Sequence, residues 1–482
     1  MSVSHESDLP LVSATELNAL YRKGEASPTE VAKSVLSRIE RLNPRVNAFC
    51  FLRPEETLRM AEASTERWRR GEPVGPLDGV PVSIKDLLLV KGWPTLRGSR
   101  TIDPNQTWDV DAPATARLRE AGAVILGKTA TPEFGCKGET NSPLTGLTRN
   151  PWNLAKSPGG SSGGAAAAVA AGLGPLGLGT DGAGSVRIPA SFCGTFGLKP
   201  SFGRIPAYPP SPYGSVAHIG VHAMCVADAA LAIEALKRPD PRDWTSLPYD
   251  ASDYAEGIGG GVRGLRVAWS GDLGYADVHP EIAAACDHAA KTFAAMGADV
   301  EAVDPGFEDP LAISTGLWFL GSLTLWDGLT PAQREATDPD FAAQAELGKP
   351  LTALDIQRLN ARRAALGSHM RQFMAAYDLL LTPAVAVPAF EARSAGHTRM
   401  EPRSMLGWTP FTYPFNLTQQ PACAIPCGLT SGGLPIGLQI VGGMFADALV
   451  LRAARAFEDA KPIPRPLLPL DERAEPDAKR RL

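Results

Sequence analysis

Two serines lie inside glycine-rich segments whose residue types could support hydrolysis. Ser161 lies in "SPGGSSGGAAAAVAAG", residues 157–172, and Ser185 lies in "LGLGTDGAGSVRIPASFCGTFGLKP", residues 176–200. Glycine adopts positive φ at little cost and lets backbone N–H groups converge on one point. An oxyanion hole needs such fixed donors where the oxygen of a tetrahedral intermediate carries charge. The pattern suggests a serine nucleophile that attacks a carbonyl group.

A serine nucleophile needs a base, and Lys85 is the best candidate. It ends the apolar run "LDGVPVSIK", which is typical of a strand buried on both faces. Burial penalises the ammonium form and so favours a neutral lysine that can accept a proton. The competing interpretation is a lysine at a strand end that pairs with the adjacent Asp86. Taken alone, the local pattern favours that pairing.

The seven histidines provide no other base in a triad-like setting. His218 and His222 have the spacing of two zinc ligands on a helix. However, Gly220 lies between them, and Ile219 replaces the glutamate of the H-E-x-x-H motif. The sequence therefore predicts no metal site.

Two other motifs match the serine loop only in part. "GGSSG", residues 159–163, fits the G-x-S-x-G nucleophile elbow, but the preceding "NPWNLAKSP" has the composition of a loop instead of the required strand. The loop also fails as a phosphate-binding loop, because Ala165 and Ala166 stand where lysine and serine or threonine are needed. An interdomain linker is disfavoured too, since the loop leads directly into an alanine-rich helix.

The elements around these residues alternate between helix and strand. "SPTEVAKSVLSRIERLN" predicts a helix with Ser27 as N-cap, Pro28 at its first position and Glu30 in a capping box. "PATARLREAGAVILGKT" predicts a helix, a turn and a strand, and "GLRVAWSG" to "ADVEAV" repeats strand, helix and strand. This alternation predicts an α/β fold with parallel strand pairs.

One large domain accounts for the whole chain, residues 1–482. Its central block is expected at about 79–205, and its α/β core is a mixed, twisted β-sheet covered by helices on both sides. Peripheral insertions rich in proline, glycine or polar residues are expected at about 238–262, 327–350 and 391–406, followed by a solvated tail at 470–482.

The composition excludes several classes of protein. The net charge is −5 and the basic residues are scattered, so no nucleic-acid-binding surface is indicated. No apolar run reaches the length of a membrane span, and the N-terminus lacks the pattern of a signal peptide. A cytoplasmic protein is expected. The seven dispersed cysteines predict buried, reduced thiols.

Taken together, "GVPVSIKD" and the two serine blocks resemble the amidase signature family. The resemblance extends to "SATELNALYRKGEASPTEV" near the N-terminus and to "FNLTQQPACAIPCGLTSGGLPIGLQIVG" near the C-terminus. It implies an amidase that hydrolyses a carbon–nitrogen bond of a carboxylic acid amide, a reaction that needs no cofactor. The order and spacing of the blocks make the resemblance specific.

The resemblance implies a Ser–cis-Ser–Lys triad. Ser185 would be the nucleophile, Ser161 the bridging serine with a cis peptide bond, and Lys85 the neutral base. The backbone N–H groups of four consecutive residues would form the oxyanion hole: Gly182, Ala183, Gly184 and Ser185. Three further residues would support this turn: Thr180, Asp181 and Arg187. The roles of Ser162 and Asp86 remain open.

One position departs from the family pattern. Ala183 stands where the family more often has glycine. If that position required positive φ, alanine would cost about 1 kcal/mol.

The substrate pocket is less clearly marked. "EFGCKGETNSPLTG" precedes the first serine block and is expected to line the acyl pocket through Gly135, Cys136, Thr140 and Asn141. Trp318 in "GLWFLGSLTLW" is a further candidate, although aromatic residues at this spacing are more often part of a core.

Three functions remain open. The first is a stand-alone serine amidase, which could form a homodimer, acts on a small-molecule amide and binds neither nucleic acid nor membrane. The second is the glutamine-hydrolysing component of a tRNA-dependent amidotransferase, its A subunit. In that branch glutamine typically follows the signature arginine, whereas this chain has Ile188. The third is an inactive binding or scaffold homologue.

Overall fold

Eleven strands form one mixed β-sheet in the computed structural model, which describes residues 6–393 and 405–464. The described strands are β1 Phe49–Leu52, β2 Pro81–Lys85, β3 Val124–Thr129, β4 Asn141–Ser142, β5 Gly146–Leu147, β6 Leu176–Asp181, β7 Phe196–Lys199, β8 His218–Ala223, β9 Arg266–Trp269, β10 Asp299–Ala302, β11 Leu379–Pro383, β12 Ala422–Leu429 and β13 Pro435–Gly442. The order in the large sheet is β1-β3-β2-β6-β8-β7-β12-β13-β11-β9-β10, and β4 pairs with β5 alone. The prediction of an α/β domain with a mixed sheet is confirmed.

The sheet is parallel where the sequence alternates strand, helix and strand. β2 runs parallel to β3 and β6, and β9 runs parallel to β10 and β11. Between these parts, β8, β7, β12 and β13 pair in antiparallel fashion. Since β2 and β6 run in the same direction with Ile84 opposite Leu178, their last residues, Lys85 and Asp181, leave the sheet at the same edge.

Helices flank the sheet on both sides. The described α-helices are α1 Ala14–Lys23, α2 Pro28–Val46, α3 Pro54–Arg69, α4 Pro113–Glu120, α5 Gly163–Ala170, α6 Arg187–Cys193, α7 Val226–Leu236, α8 Pro280–Ala295, α9 Leu311–Asp327, α10 Pro331–Glu335, α11 Pro339–Gly348, α12 Ala353–Ala376, α13 Pro414–Leu417 and α14 Asp447–Ala460. The capping box of Ser27 and Glu30 begins α2 as predicted. A second box, of Ser13 and Glu16, begins α1, a helix absent from the sequence prediction. No helix within the described ranges is long and apolar enough to cross a membrane.

The alanine-rich helix α5 is buried along its whole length. A Cβ on Gly164 would lie 2.5 Å from both the backbone nitrogen and the carbonyl oxygen of Ala130, and 2.7 Å from the carbonyl oxygen of Ala48. The backbone of α5 therefore packs directly on neighbouring backbone, which only the smallest residues permit. This contact explains why glycine and alanine follow the first serine block.

The segment 327–350 is not a peripheral insertion throughout. It contains α10 and α11, and α11 buries Phe341 and Gln344 completely. Phe341 packs against Phe134 with ring centroids 5.0 Å apart, because this helix covers the loop before the first serine block. The expected insertion at 238–262 is largely irregular in structure, and its Trp244 is 88% exposed. Most of the segment 391–406 and the whole tail at 470–482 lie outside the described residues.

Candidate active site

Lys85 lies at the end of β2 with its side-chain nitrogen surrounded by hydroxyl groups. Nζ is 2.7 Å from Ser161 Oγ, 2.9 Å from Ser162 Oγ and 2.8 Å from Thr180 Oγ1. The side chain is fully buried, and no carboxylate of the described residues lies within ion-pair distance of it. Burial lowers the pKa of Lys85 well below its ordinary value, against the opposing effect of Asp181. These surroundings favour a neutral amine.

The pairing of Lys85 with Asp86 does not occur. Asp86 Oδ1 lies 3.1 Å from Lys128 Nζ on the neighbouring strand β3. Successive side chains of a strand point to opposite faces, so Lys85 and Asp86 face different surroundings at the strand end. Lys128 also donates a hydrogen bond to Thr95 Oγ1 at 2.7 Å.

Ser162 holds the Lys85 site in position. Its hydroxyl accepts a hydrogen bond from Lys85 Nζ, donates to the carbonyl oxygen of Thr180 at 3.0 Å and accepts from the Thr180 N–H at 3.2 Å. Its own N–H donates to the carbonyl oxygen of Ser185 at 3.1 Å. Ser162 therefore joins the two serine blocks at the end of β6.

The loop that carries Ser161 is packed between backbone segments. The Gly160–Ser161 peptide bond is cis. A Cβ on Gly160 would lie 2.6 Å from the carbonyl carbon of Glu139, and a Cβ on Gly135 would lie 3.2 Å from Ser161 Oγ. Thr140 Oγ1 donates to the carbonyl oxygen of Gly159 at 2.8 Å, which ties this loop to the preceding one. Glycine is needed at these close approaches.

Asp181 shapes the turn that carries Ser185. Its carboxylate accepts hydrogen bonds from the N–H groups of Gly184 at 2.8 Å and Val186 at 3.1 Å. Gly184 has a φ of 123°, whereas Ala183 is outside the left-handed region. Alanine at position 183 therefore carries no penalty for positive φ.

The four amides expected in the oxyanion hole are not equivalent. The Gly184 N–H is already used by Asp181 Oδ1. Within the described part of the chain, the N–H groups of Gly182, Ala183 and Ser185 donate no hydrogen bond to protein atoms. These three amides therefore have no acceptor among the described protein atoms.

Arg187 anchors the turn from behind. Its guanidinium contacts Asp181 Oδ1 at 2.8 Å and Oδ2 at 3.0 Å. Nη1 donates to Gln439 Oε1 at 2.7 Å, and Nη2 donates to Asn416 Oδ1 at 2.5 Å. Burial alone would raise the pKa of Asp181, but Arg187 holds it well below its usual range. Asp181 is therefore a carboxylate that can accept several N–H groups at once.

Ser185 opens onto a cavity of about 820 Å³, a volume that includes the opening to solvent. In the part of the chain that the structure describes, its hydroxyl makes no hydrogen bond to protein, including none to Ser161 Oγ. The cavity is lined by Leu87, Leu88, Arg97, Phe134, Gly135, Ser161, Thr180, Gly182, Ser185, Ala207, Pro209, Pro210, Ser211, Pro212, Tyr213, Ala217, His218, Ile219, Trp318 and Leu325. A mostly apolar cavity with few polar groups is typical of a small-molecule site.

A model of the Amidase family matches residues 30–451 of the chain. The chain belongs to the amidase signature family. An acylamidase of Rhodococcus erythropolis is 40% identical over 464 residues, which cover 95% of this chain and 97% of that protein. The A subunit of the glutamyl-tRNA(Gln) amidotransferase of Geobacter metallireducens is 35% identical over 472 residues, which cover 92% and 96% of the two proteins.

A solved structure of a bacterial aryl acylamidase of this family superposes with a TM-score of 0.87. The two chains are 32% identical, and the match covers 94% of this chain and 96% of that chain. This member of the amidase signature family therefore has the fold of enzymes that act on amides.

The five candidate pocket residues of this amidase signature protein fall into two groups. Gly135 and Trp318 line the cavity, and Trp318 stacks on Tyr213 with ring centroids 4.0 Å apart. The other three are not among the residues that line this cavity. The Cys136 carbonyl accepts from Trp318 Nε1 at 3.0 Å, Thr140 supports the serine loop, and Asn141 begins β4.

The histidine pair lies on a strand instead of a helix. His218 and His222 are both buried on β8, and both ring nitrogens of His222 lack a hydrogen-bond partner among the described residues. Burial lowers the pKa of His222 to about 3. Within the described ranges, no three metal-ligating side chains form a group that could hold a metal ion.

Several residues around the site were missed in the sequence. Asn416, Gln439 and Thr412 contact Arg187 from the C-terminal part of the chain. Of these residues, Gln439 carries the clearest signal in the sequence, because it is the lone polar residue in the apolar run "PIGLQIVG". Arg97, which lines the cavity, had no comparable signal.

Proposed function

We propose that this protein is a stand-alone serine amidase that hydrolyses small amides through an acyl-enzyme on Ser185. The observation that carries the proposal is the buried Lys85, which contacts the hydroxyl of Ser161 at 2.7 Å and has no carboxylate partner among the described residues. A neutral amine in that position can accept a proton. The acylamidase relative and the aryl acylamidase structure support amide hydrolysis as the reaction class.

In the first half of the reaction, Ser185 Oγ attacks the amide carbonyl carbon. Its proton passes to Ser161 Oγ while the Ser161 proton passes to Lys85 Nζ. The relay requires the Ser185 hydroxyl to turn towards Ser161 when substrate binds. The carbonyl oxygen becomes an oxyanion, and the amides of Gly182, Ala183 and Ser185 are the available donors for it. The C–N bond then breaks, and the proton returns along the same path to the leaving amine.

In the second half, water attacks the ester carbonyl of the acyl-enzyme. A proton from water passes through Ser161 to Lys85, and the resulting tetrahedral intermediate collapses to the carboxylic acid. The returning proton restores the Ser185 hydroxyl. The reaction is complete without a metal or a cofactor.

The second candidate is the glutamine-hydrolysing component of an amidotransferase, which the relative with 35% identity supports. Ile188 distinguishes the two candidates. Its side chain is buried in an apolar cluster with Phe192 and Trp408, so this position lacks the polar group that the amidotransferase branch typically carries. We therefore favour the stand-alone amidase. Hydrolysis of aryl amides by the purified chain, with no dependence on glutamine, separates the two.

The test is labelling with a fluorophosphonate probe, read by intact mass and peptide mapping. We expect one adduct on Ser185, no adduct in Ser185→Ala, and labelling of Lys85→Ala slowed about 100-fold or more. Ser191→Ala is the matched control, because the Ser191 hydroxyl is buried without a partner among the described residues. Its labelling should equal that of the unmodified protein.

An adduct on Ser161, or none at all, would contradict the proposed triad and favour an inactive binding homologue. Release of ammonia from glutamine, without turnover of any aryl amide, would favour the amidotransferase candidate.

A further inference from the structure

The described residues that line the cavity next to Ser185 include one cation and no anion. Among the described residues that line it, Arg97 alone carries a charge at neutral pH, and none is aspartate or glutamate. His218 is neutral there, because burial and Lys199 lower its pKa well below the ordinary value. Tyr213 is neutral too, since burial raises the pKa of its hydroxyl. An acidic group entering this cavity meets no repulsion.

The backbone of Arg97 is held in place. Its carbonyl oxygen accepts a hydrogen bond from the Phe134 N–H at 2.8 Å. Its φ is 54°, a region that favours glycine and costs an arginine about 1 kcal/mol. The next residue, Gly98, packs so closely that a Cβ there would lie 2.5 Å from the carbonyl oxygen of Thr131. The side chain therefore projects from a fixed point in the cavity wall.

The guanidinium of Arg97 has no partner in the part of the chain that the structure describes. It forms no hydrogen bond, ion pair or stacking contact with any of those residues. Burial lowers the pKa of Arg97, and the Asp86 carboxylate opposes this effect. Asp86 itself forms an ion pair with Lys128, whose Nζ lies 3.1 Å from its Oδ1. A half-buried arginine whose five N–H donors are not used by protein groups can offer them to a ligand. Arg187, by contrast, fills its donors with protein groups.

Arg97 also lies between two neighbouring cavities. It lines both the cavity that holds Ser185 and a neighbouring cavity whose lining includes Trp108, Tyr208 and the acidic Asp109. A substrate with an apolar body and an anionic end can therefore occupy the apolar walls near Ser185 and reach Arg97 with its far end.

We infer that Arg97 binds a carboxylate of the substrate, so that the preferred substrates are amides that also carry a carboxylate group. A planar guanidinium matches a carboxylate with two parallel hydrogen bonds. This inference rests on the proposed amidase function and adds a specificity-determining residue to it.

The test uses two pairs of substrates that differ mainly in the carboxylate. One pair is glutaric acid mono-4-nitroanilide and pentanoic acid 4-nitroanilide, and the other is 4-acetamidobenzoate and 4-acetamidotoluene. We expect the protein to favour the acidic member of at least one pair by about tenfold or more in kcat/KM, mainly through KM. Arg97→Gln should abolish this preference by lowering kcat/KM for the acidic member more than for the neutral member.

Arg100→Gln is the matched control, because Arg100 lies three residues further along and is exposed. It should retain the preference of the unmodified protein. Equal kcat/KM for both members of both pairs, or a preference that survives Arg97→Gln, would overturn the inference while the proposed amidase function stands.

A second readout does not depend on turnover. Glutarate should slow fluorophosphonate labelling of Ser185 in the unmodified protein and in Arg100→Gln, and pentanamide should slow it less. In Arg97→Gln this difference should disappear. Equal protection by glutarate in Arg97→Gln and in the unmodified protein would overturn the assignment of Arg97, whereas absence of labelling would count against the proposed function instead.

Discussion

Two buried lysines on adjacent strands show how surroundings determine the chemistry of one side-chain type. Lys128 on β3 contacts the carboxylate of Asp86 at 3.1 Å, whereas Lys85 on β2 contacts only hydroxyl groups. Burial lowers the pKa of both, but Asp86 opposes the effect at Lys128. The first is a structural ion pair, and the second has the environment of a base.

The pH dependence of the reaction follows from Lys85. Its folded pKa lies well below 10.5, and the neutral form is the one that accepts a proton. We expect kcat/KM to rise with pH through the folded pKa and to level off below pH 10.5. The unfolded chain binds the proton more tightly, so the free energy of unfolding also rises with pH between the two values.

Lys85→Met tests both consequences. It should abolish hydrolysis and, below the folded pKa, raise the melting temperature relative to the unmodified protein, because no ammonium need be buried. Lys128→Met, the same change on the next strand, should lower the melting temperature since it leaves Asp86 unpaired. A flat pH–rate profile from mildly acidic to alkaline pH would contradict the role of Lys85.

Among the elements, α5 is the one whose sequence is most constrained by its neighbours. All eight of its residues are buried, and its Gly164 touches the backbone of Ala130 and Ala48. The helix thereby brings the serine loop against the ends of β2 and β6. The two glycines at its start lower its helical propensity, and close packing on both sides compensates for this cost.

Two helical glycines should respond oppositely to alanine. Gly164→Ala places a Cβ 2.5 Å from Ala130 backbone atoms, so we expect a loss of about 3 kcal/mol or more in the free energy of unfolding. Gly367→Ala, in α12, meets nothing within 4 Å and should gain about 0.5–1 kcal/mol through helix propensity. Urea unfolding of both variants measures the difference. An equal effect of the two changes would contradict the packing described for α5.

At the scale of the whole molecule, residues distant in sequence hold the site together. Asn416 Nδ2 donates to the backbone carbonyl oxygen of Asp181 at 2.8 Å and to the Asp181 Oδ1 at 2.9 Å. The Asn416 Oδ1 accepts a hydrogen bond from Arg187. The Gln439 side chain on β13 contacts the same guanidinium. The helix α13 and the strand β13 thus hold the Ser185 turn through one buried network.

Removing Asn416 should therefore affect both stability and catalysis. Asn416→Ala leaves buried charged groups short of partners, and we expect a loss of about 2–4 kcal/mol in the free energy of unfolding. Below the melting temperature, kcat should fall as the turn loosens. Asn105→Ala, in an exposed loop, is the control and should change neither quantity measurably. Unchanged stability in Asn416→Ala would show that the network does not hold the turn.

The sequence was sufficient for the α/β fold, the capping box that begins α2, and the alanine-rich helix that follows the first serine block. Each depends on residues close together in the chain, such as the Ser27 and Glu30 pair or the alternation from α4 to β3. Lys85 was recognised because an apolar strand ending in one lysine is a local pattern. Of its hydroxyl partners, the family resemblance implied only Ser161. The contacts of Lys85 with Ser162 and Thr180 were found in the structure, since these residues lie on distant segments.

Three-dimensional packing settled what local patterns left open. Asp86 could have paired with Lys85 or with another residue, and the sheet order brought Lys128 beside it. The Asp181 carboxylate accepts the Gly184 N–H, and its position determines which amides near Ser185 have no protein acceptor. The groups that the fold places around Arg97 leave its guanidinium without a partner among the described residues. Local sequence patterns depend on residues that are neighbours in the chain. Hydrogen-bond partners and nearby charges belong to segments that come together only when the whole sheet forms.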